Sequence, residues 1–347
     1  MIDDIRKNTM PTMQDVANKA QVSLSTVSHA LSGKRPISEE TRQRILQAIE
    51  ELEYRPNELA RRLANRETRI LGLFFPRFRS GLSGMQLEFV SAAIDAAENH
   101  DYAILLWRSP KDVDTLIDLT QQGLVDGVIF MEVRLKDERM VRLRESGFPF
   151  CMIGRTHDNT GIGFVDLDHA RAIEDAFQYL VEHGHSQIAY IDYPQELAEA
   201  GYGPAAFCNE GYQRVLRRYN LPTITEYCET TTQDAYRLLT QILTEHPDLT
   251  ALVTSNEIGL PGMYQAIHDA GKRIPDDFSV VALASPQRAE QLMPAVTTLD
   301  FPTEEMGKSG VEILITALHQ KNIPPTQKLL RGSLTIRQSS GCSPGFT

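Results

Sequence analysis

From Thr12 to about Leu52 the apolar residues recur at helical spacing, with no run that alternates as a strand would; beyond Arg69 short apolar runs alternate with amphipathic stretches. The change of pattern falls within residues 56–69. Ile70–Phe75, Tyr102–Leu106, Val125–Phe130 and Phe150–Ile153 are short, nearly continuous and punctuated by Gly or Pro, which predicts buried parallel strands. Between the first two, Leu87, Val90, Ile94 and Ala97 mark one stripe of a helix over Met85–His100, long enough for a right-handed crossover. A second series starts after Asp168, with a helix through Ala172–Glu182 and strands at Gln187–Ile191, Ala251–Thr254 and Ser279–Leu283. Two such series predict an α/β body of two doubly wound parallel-sheet lobes behind a small all-α head. The carboxyl ends of the strands in such lobes face a shared ligand cleft.

In the head, Thr12 and Asp15 have capping-box spacing, so a helix is expected to start there with Val16, Ala17 and Ala20 on its inner face. After a three-residue break, Ser23 is placed to cap a second helix through Ser32 with Val27, Ala30 and Leu31 inward. Small Ala17 lets the two helices cross closely. The result is a helix-turn-helix that would offer Leu24, Ser25, Thr26, Ser28 and His29 to a major groove. Spacing alone is moderate evidence, because any αα-hairpin can show it.

Charge changes the picture in one respect. The net −11 disfavours a nucleic-acid partner for the chain as a whole, yet residues 1–69 carry +2 and the remainder −13. DNA contact is therefore expected at the front, with an acidic body that repels phosphate and orients the head. No apolar run reaches the about 18 residues of a membrane span. Residues 1–11 lack the apolar stretch of a secretory signal, so a cytoplasmic location is expected. Cys151, Cys208, Cys228 and Cys342 are scattered, and His183 and His185 flank Gly184 with no third ligand nearby, so neither a metal nor another cofactor is expected.

The stretches Thr12 to Gly33 (TMQDVANKAQVSLSTVSHALSG), Ile37 to Arg42 (ISEETR) and Tyr54 to Leu63 (YRPNELARRL) closely resemble the lactose-repressor/galactose-repressor family. The likeness continues through Val125 to Val128, His183 to His185, Ser255 and Asn256, Ile274 to Ser279 and Thr297 to Gly307. It implies a helix-turn-helix domain over 10–58, a hinge helix and linker over 56–68, and a body over 69–347 of periplasmic-binding-protein type that binds effector and dimerises. Carried over, the family pattern makes Leu24, Ser25 and His29 base readers and puts Ser23, Thr26, Ser28 and Asn18 near phosphates. A solvated surface imidazole is the plainer reading of His29. Asn57, Arg61 and Leu63 fall in the implied hinge, which is too short to be stable alone and would fold when paired, Leu63 wedging into the minor groove while Arg61, Arg62 and Arg66 meet phosphates. Packing against the partner hinge is the plainer role for the leucines, and Leu59 is given it. Gln21 departs from the Gly or Asn usual in the turn, a cost if φ is positive. The residues before Met10 match nothing in the pattern, and Met10 is an alternative start.

In the body the resemblance leads one to expect an Arg where Cys208 stands and an Asp where Ala284 stands, so the usual sugar clamp is absent from both sides. The resemblance implies a sugar, nucleoside base or similar small molecule in the cleft; an effector that is less polar or contacts other groups is the favoured explanation, and control through a protein partner and a slipped alignment of these positions are the others. Strand ends and loops nominate Trp107, Arg108, Arg155, Asp166, Phe207, Asn209, Asn256 and Glu257 as effector contacts. The structural alternatives are that Trp107 caps a lobe core, Asp166 and Asp168 cap a helix or lie at an interface, and Asn256 satisfies a turn. The chain is thus expected to be a dimeric transcriptional regulator, a repressor, on a palindromic operator. The rivals are an enzyme, for which no nucleophile elbow, phosphate loop or paired-acid constellation is found, and a solute receptor, which would have no head. No heptad-bearing tail follows Arg337, which favours a dimer over a tetramer.

Overall fold

The computed structural model describes residues 11–32, 35, 37–54, 67–75, 84–108, 112–131, 133–320 and 323–346. Contacts divide the chain between Thr68 and Arg69. Among the described residues the first unit holds three helices: α1 (Met13–Ala20), α2 (Leu24–Ser32) and α3 (Glu39–Glu51). Thr12 and Asp15 form the expected capping box, Thr12 N donating to Asp15 Oδ2 at 2.8 Å and Asp15 N to Thr12 Oγ1 at 3.3 Å. Ser23 caps α2 by accepting from Thr26 N at 3.1 Å, and Ser38 caps α3 by accepting from Thr41 N at 3.3 Å. Val16, Ala17, Ala20 and Val27 meet Ile45, Ala48 and Tyr54 in one apolar cluster. The turn after α1 puts Gln21 at φ 52° and ψ 46°, the left-handed region anticipated for a site that suits Gly.

Among the described residues the second unit contains two six-stranded sheets. The first has the order β11-β5-β4-β3-β1-β2 and is wholly parallel, from β1 (Ile70–Phe75), β2 (Ala103–Arg108), β3 (Gly127–Phe130), β4 (Phe150–Ile153), β5 (Gly163–Leu167) and β11 (Gln327–Leu330). The second has the order β12-β10-β9-β8-β6-β7, parallel except for its edge, from β6 (Ile188–Asp192), β7 (Thr225–Tyr227), β8 (Ala251–Thr254), β9 (Ser279–Ala284), β10 (Thr297–Asp300) and β12 (Leu334–Thr335). The chain passes between the lobes after β5, β10 and β11, and the residues just before these crossings, Leu167, Phe301 and Leu330, belong to one core cluster that spans both sheets.

Two expectations need correction. The Tyr102–Leu106 run is not a fully buried strand: β2 is an edge strand with Ala103, Leu106 and Arg108 exposed, because among the described residues no strand pairs with its outer side. Leu87 does not belong to the buried stripe of the Gly84–Glu98 helix and is 53% exposed. That helix buries Phe89, Val90, Ala92, Ala93, Ala96 and Ala97 instead, because it packs on the Thr303–His319 helix as well as on the sheet. The two helices approach so closely that a Cβ on Gly307 would lie 2.6 Å from Phe89 O. In the second lobe a Cβ on Gly211 would lie 2.3 Å from Ala170 O, which sets the spacing of the Gly203–Tyr219 and His169–Glu182 helices.

Candidate functional site

On the head, α2 seals Val27 inside and leaves the opposite face to solvent. Leu24 is 46% exposed although it is the most apolar residue of that face; Ser25 and Ser28 are exposed and His29 half-buried. The hydroxyls form a local chain, Ser23 Oγ lying 2.7 Å from both Ser25 Oγ and Thr26 Oγ1. Asn18 is exposed on α1 and accepts from Gln14 Nε2 at 3.0 Å. The helix start thus gathers small donors and acceptors around one protruding apolar side chain, the chemistry that meets base edges and a thymine methyl. Asn57, Arg61 and Leu63, with Leu59, Arg62 and Arg66, lie outside the described residues.

Between the lobes of the body lies a cavity of about 110 Å³. On the same measure a single water needs about 10–15 Å³, so the space suits a small organic molecule. The carboxyl ends of the central strands supply it: Met131 follows β3, Gly154 follows β4, Asp166 is the last residue but one of β5, Tyr193 follows β6, Ser255 to Ile258 follow β8, and Phe301 follows β10. Met85 and Phe89 from the Gly84–Glu98 helix and Met306 from the Thr303–His319 helix complete an apolar lining.

Three of the eight nominated residues, Asp166, Asn256 and Glu257, line this cavity. Asp166 is buried and committed: its Oδ2 accepts from Arg155 Nη1 at 2.8 Å and its Oδ1 from Leu167 N at 2.9 Å. Arg155 stacks over Phe207 at 3.8 Å, so these two stand behind Asp166 and fix it. Asn256 satisfies a turn, its Oδ1 accepting from Gly259 N and its Nδ2 donating to Cys228 O and Glu229 O. Trp107, Arg108 and Asn209 are not brought to the cavity. Trp107 and Arg108 end the edge strand β2, where Trp107 stacks on Phe74 with ring centroids 5.5 Å apart. Asn209 lines a separate depression with Asp192, Gln195 and Tyr227.

Glu257 differs from its neighbours. It is buried, among the described residues its Oε2 has no hydrogen-bond partner, and burial pushes its carboxyl from an ordinary 4.5 up to about 7, with Arg288 pulling it down, Glu88 pushing it up, and the backbone N–H groups of Ser285 and Met85 pulling it down. Residue reading missed His169, Phe89, Tyr193, Tyr202, Met131 and Phe301 in this cavity. The available signal was position: Met131, Tyr193 and Phe301 each directly follow a strand. His169 opens the helix that Asp168 caps, and its Nε2 lies buried 3.5 Å from Asp166 Oδ1 without a hydrogen bond. Cys208, where an Arg was expected, is buried with its Sγ 3.9 Å from His169 Nδ1. Ala284 ends β9 fully buried.

The paired histidines punctuate the fold: Gly184 has φ +85°, and the His185 ring nitrogens bond Thr250 Oγ1 and Gly341 O. Among the described residues no helix is long and apolar enough to cross a membrane.

Residues 12–57 match the family model of bacterial regulatory proteins of the lacI family, and residues 177–340 match a periplasmic binding protein-like domain. The chain is 27% identical to the ribose operon repressor of Halalkalibacterium halodurans over 95% of its own length and 97% of that protein. It is 26% identical to catabolite control protein A of Priestia megaterium, over 95% and 99%. The fold is shared with a structure of the Lac repressor dimer bound to operator and an anti-inducer, at TM-score 0.82 and 22% identity over 95% of this chain and 98% of that one. A complex of the regulator CelR with cellobiose matches at TM-score 0.70 and 25% identity, over 95% and 99%. Because these relatives align over head and body together, sharing the order of the parts as well as the parts themselves, the chain carries a lacI-type DNA-binding head and a periplasmic-binding-protein-like body in the arrangement of the transcriptional regulators it resembles.

Proposed function

We propose that this regulator is a cytoplasmic repressor that binds a palindromic operator as a homodimer and is controlled by a small molecule held between the lobes of its body. Residues 10–58 read DNA, 56–68 form the hinge and linker, and 69–347 bind effector and dimerise. Leu24, Ser25 and His29 contact bases. Asn18, Ser23, Thr26 and Ser28 lie along phosphates, and Asn57 and Arg61 act with Leu63 at the operator centre. The observation that carries this reading is the outer face of α2, where Leu24 stays 46% exposed beside serine hydroxyls on a helix whose other face is sealed. A solvated helix gains nothing from an exposed leucine, whereas a groove-reading helix gains a contact surface for a thymine methyl. The operator-bound Lac repressor dimer and the CelR–cellobiose complex support the same assignment by their likeness.

Effector binding changes the angle between the lobes, and with it the spacing of the two hinges and the ability of both heads to occupy half-sites together. No catalytic role is assigned to any residue. Selection of bound sequences from random duplex DNA, at near-physiological salt and without effector, tests the reading. An inverted repeat with a central C-G step is expected. Failure to enrich any motif, with or without added metabolite pools, refutes sequence-specific binding. Leu63→Ala is expected to abolish specific affinity and leave weak, salt-sensitive binding; unchanged specific affinity refutes the wedge.

A further inference from the structure

The inter-lobe cavity joins apolar walls and neutral polar groups to two acidic side chains. Asp166 and Glu257 line it, and among the described residues no Lys or Arg does. Of the two nearby guanidinium groups, Arg155 Nη1 is held by Asp166 Oδ2 at 2.8 Å and by Leu167 O at 3.2 Å, while Arg288, whose Nε donates to Glu257 O at 3.4 Å and whose Nη1 donates to Gln291 Oε1 at 3.1 Å, acts on the Glu257 carboxyl only through space. Glu88, the other close carboxylate, already accepts from Ser285 Oγ at 2.8 Å and Thr303 Oγ1 at 2.7 Å. The Glu257 carboxyl is approached by the backbone N–H groups of Ser285 and Met85, yet among the described residues its buried Oε2 keeps no hydrogen bond, in a cavity whose apolar walls are Met85, Phe89, Met131, Ile258, Phe301 and Met306. A buried acceptor of this kind is costly unless something fills it.

We propose that the effector carries a positively charged hydrogen-bond donor, an ammonium or amidinium, on a compact apolar or aromatic body, and that Glu257 Oε2 receives that donor. This inference rests on the reading of the cleft as the effector site and narrows it to a ligand class. An anionic effector would find no cation in the described lining and two carboxyls against it. A polyhydroxylated sugar would find the hydroxyls of Thr230 and Tyr193 but would press its remaining hydroxyls against the methionine and phenylalanine walls. A cation instead forms a charge-assisted hydrogen bond away from water, while its apolar body covers the methionine and phenylalanine walls. Arg288, Glu88 and Tyr193 are the charged or titratable groups facing Glu257 from the neighbouring segments, and burial already raises its carboxyl to about 7. A bound cation draws off that proton, so binding strengthens as pH rises through 7.

The test is calorimetric titration of the full-length protein with two matched series, phenylethyl and cyclohexylmethyl frames each bearing an ammonium, a hydroxyl or a carboxylate. At pH 8 an ammonium member is expected to bind about tenfold or more tighter than its hydroxyl and carboxylate partners, and its affinity is expected to fall about tenfold at pH 6. Glu257→Gln should remove both the preference and the pH step, and Glu257→Asp should restore part of the preference; thermal unfolding of each variant establishes that it is folded. Equal or tighter binding of the hydroxyl or carboxylate members, no binding in either series, or an undiminished ammonium preference in Glu257→Gln overturns the proposal. Selection of an operator by the same protein is measured separately, so loss of the ligand class leaves the DNA-binding result standing, and the reverse.

Discussion

Replacing Glu257 by glutamine removes an ionisable group from the inter-lobe cavity with little change of shape, and the effect on stability follows from its burial. In the unfolded chain the carboxyl titrates near its ordinary 4.5; in the folded protein, where water is excluded, it titrates near 7. Between these values the folded state holds a proton that the unfolded state has released, so folding stability falls as pH rises across this window and levels above it. At about 1.4 kcal/mol per pH unit the difference is about 3 kcal/mol. The side chain is buried, so solvent screens little of it. Urea unfolding of ligand-free protein, followed by far-ultraviolet circular dichroism from pH 4.5 to 8, supplies the comparison. The wild-type protein is expected to lose about 3 kcal/mol relative to Glu257→Gln across this range, most of it between pH 5 and 7. Parallel pH profiles for the two proteins would show that the carboxyl is solvated or ion-paired, and the reasoning from burial would fail.

Three further outcomes test the packing and capping arguments. Gln21→Gly should stabilise the head by about 0.5–1 kcal/mol, because φ 52° strains a side-chain-bearing residue; an unchanged or lower melting temperature of the head counts against it. Thr12→Ala should cost the head about 1 kcal/mol by removing the hydroxyl that accepts from Asp15 N, while the backbone N–H of residue 12 still donates to Asp15, and denaturant unfolding of the head reads this directly. Gly211→Ala should destabilise the body by about 1–3 kcal/mol, since the new Cβ would meet Ala170 O at 2.3 Å and force two helices apart. A melting temperature equal to that of the wild-type body would show that the contact relaxes freely.

The sequence by itself determined the helix-turn-helix, because its signals are local. The Thr12–Asp15 box, the Ser23 cap and the spacing of Val16, Ala17, Ala20 and Val27 involve residues within a turn or two of one another. Central strands such as β1, β4 and β8 were legible for a related reason: burial on both faces leaves an unbroken apolar run. Edge strands β7 and β12 and the partly buried β11 carry no such run, since one side of each meets solvent, and they escaped notice. Tertiary structure decided which strand ends share the cavity. The sheet order places β2 at the rim, so Trp107 stacks within its own lobe, while the crossings after β5 and β10 bring His169 and Phe301 together with rings 5.5 Å apart. The state of Glu257 was likewise beyond the sequence, because it depends on Glu88, Ser285 and Arg288, which are distant along the chain and meet only when the lobes are assembled. Local hydrogen bonds and periodic burial are written in neighbouring residues, whereas a cleft and the charge balance inside it exist only where remote segments exclude the same water.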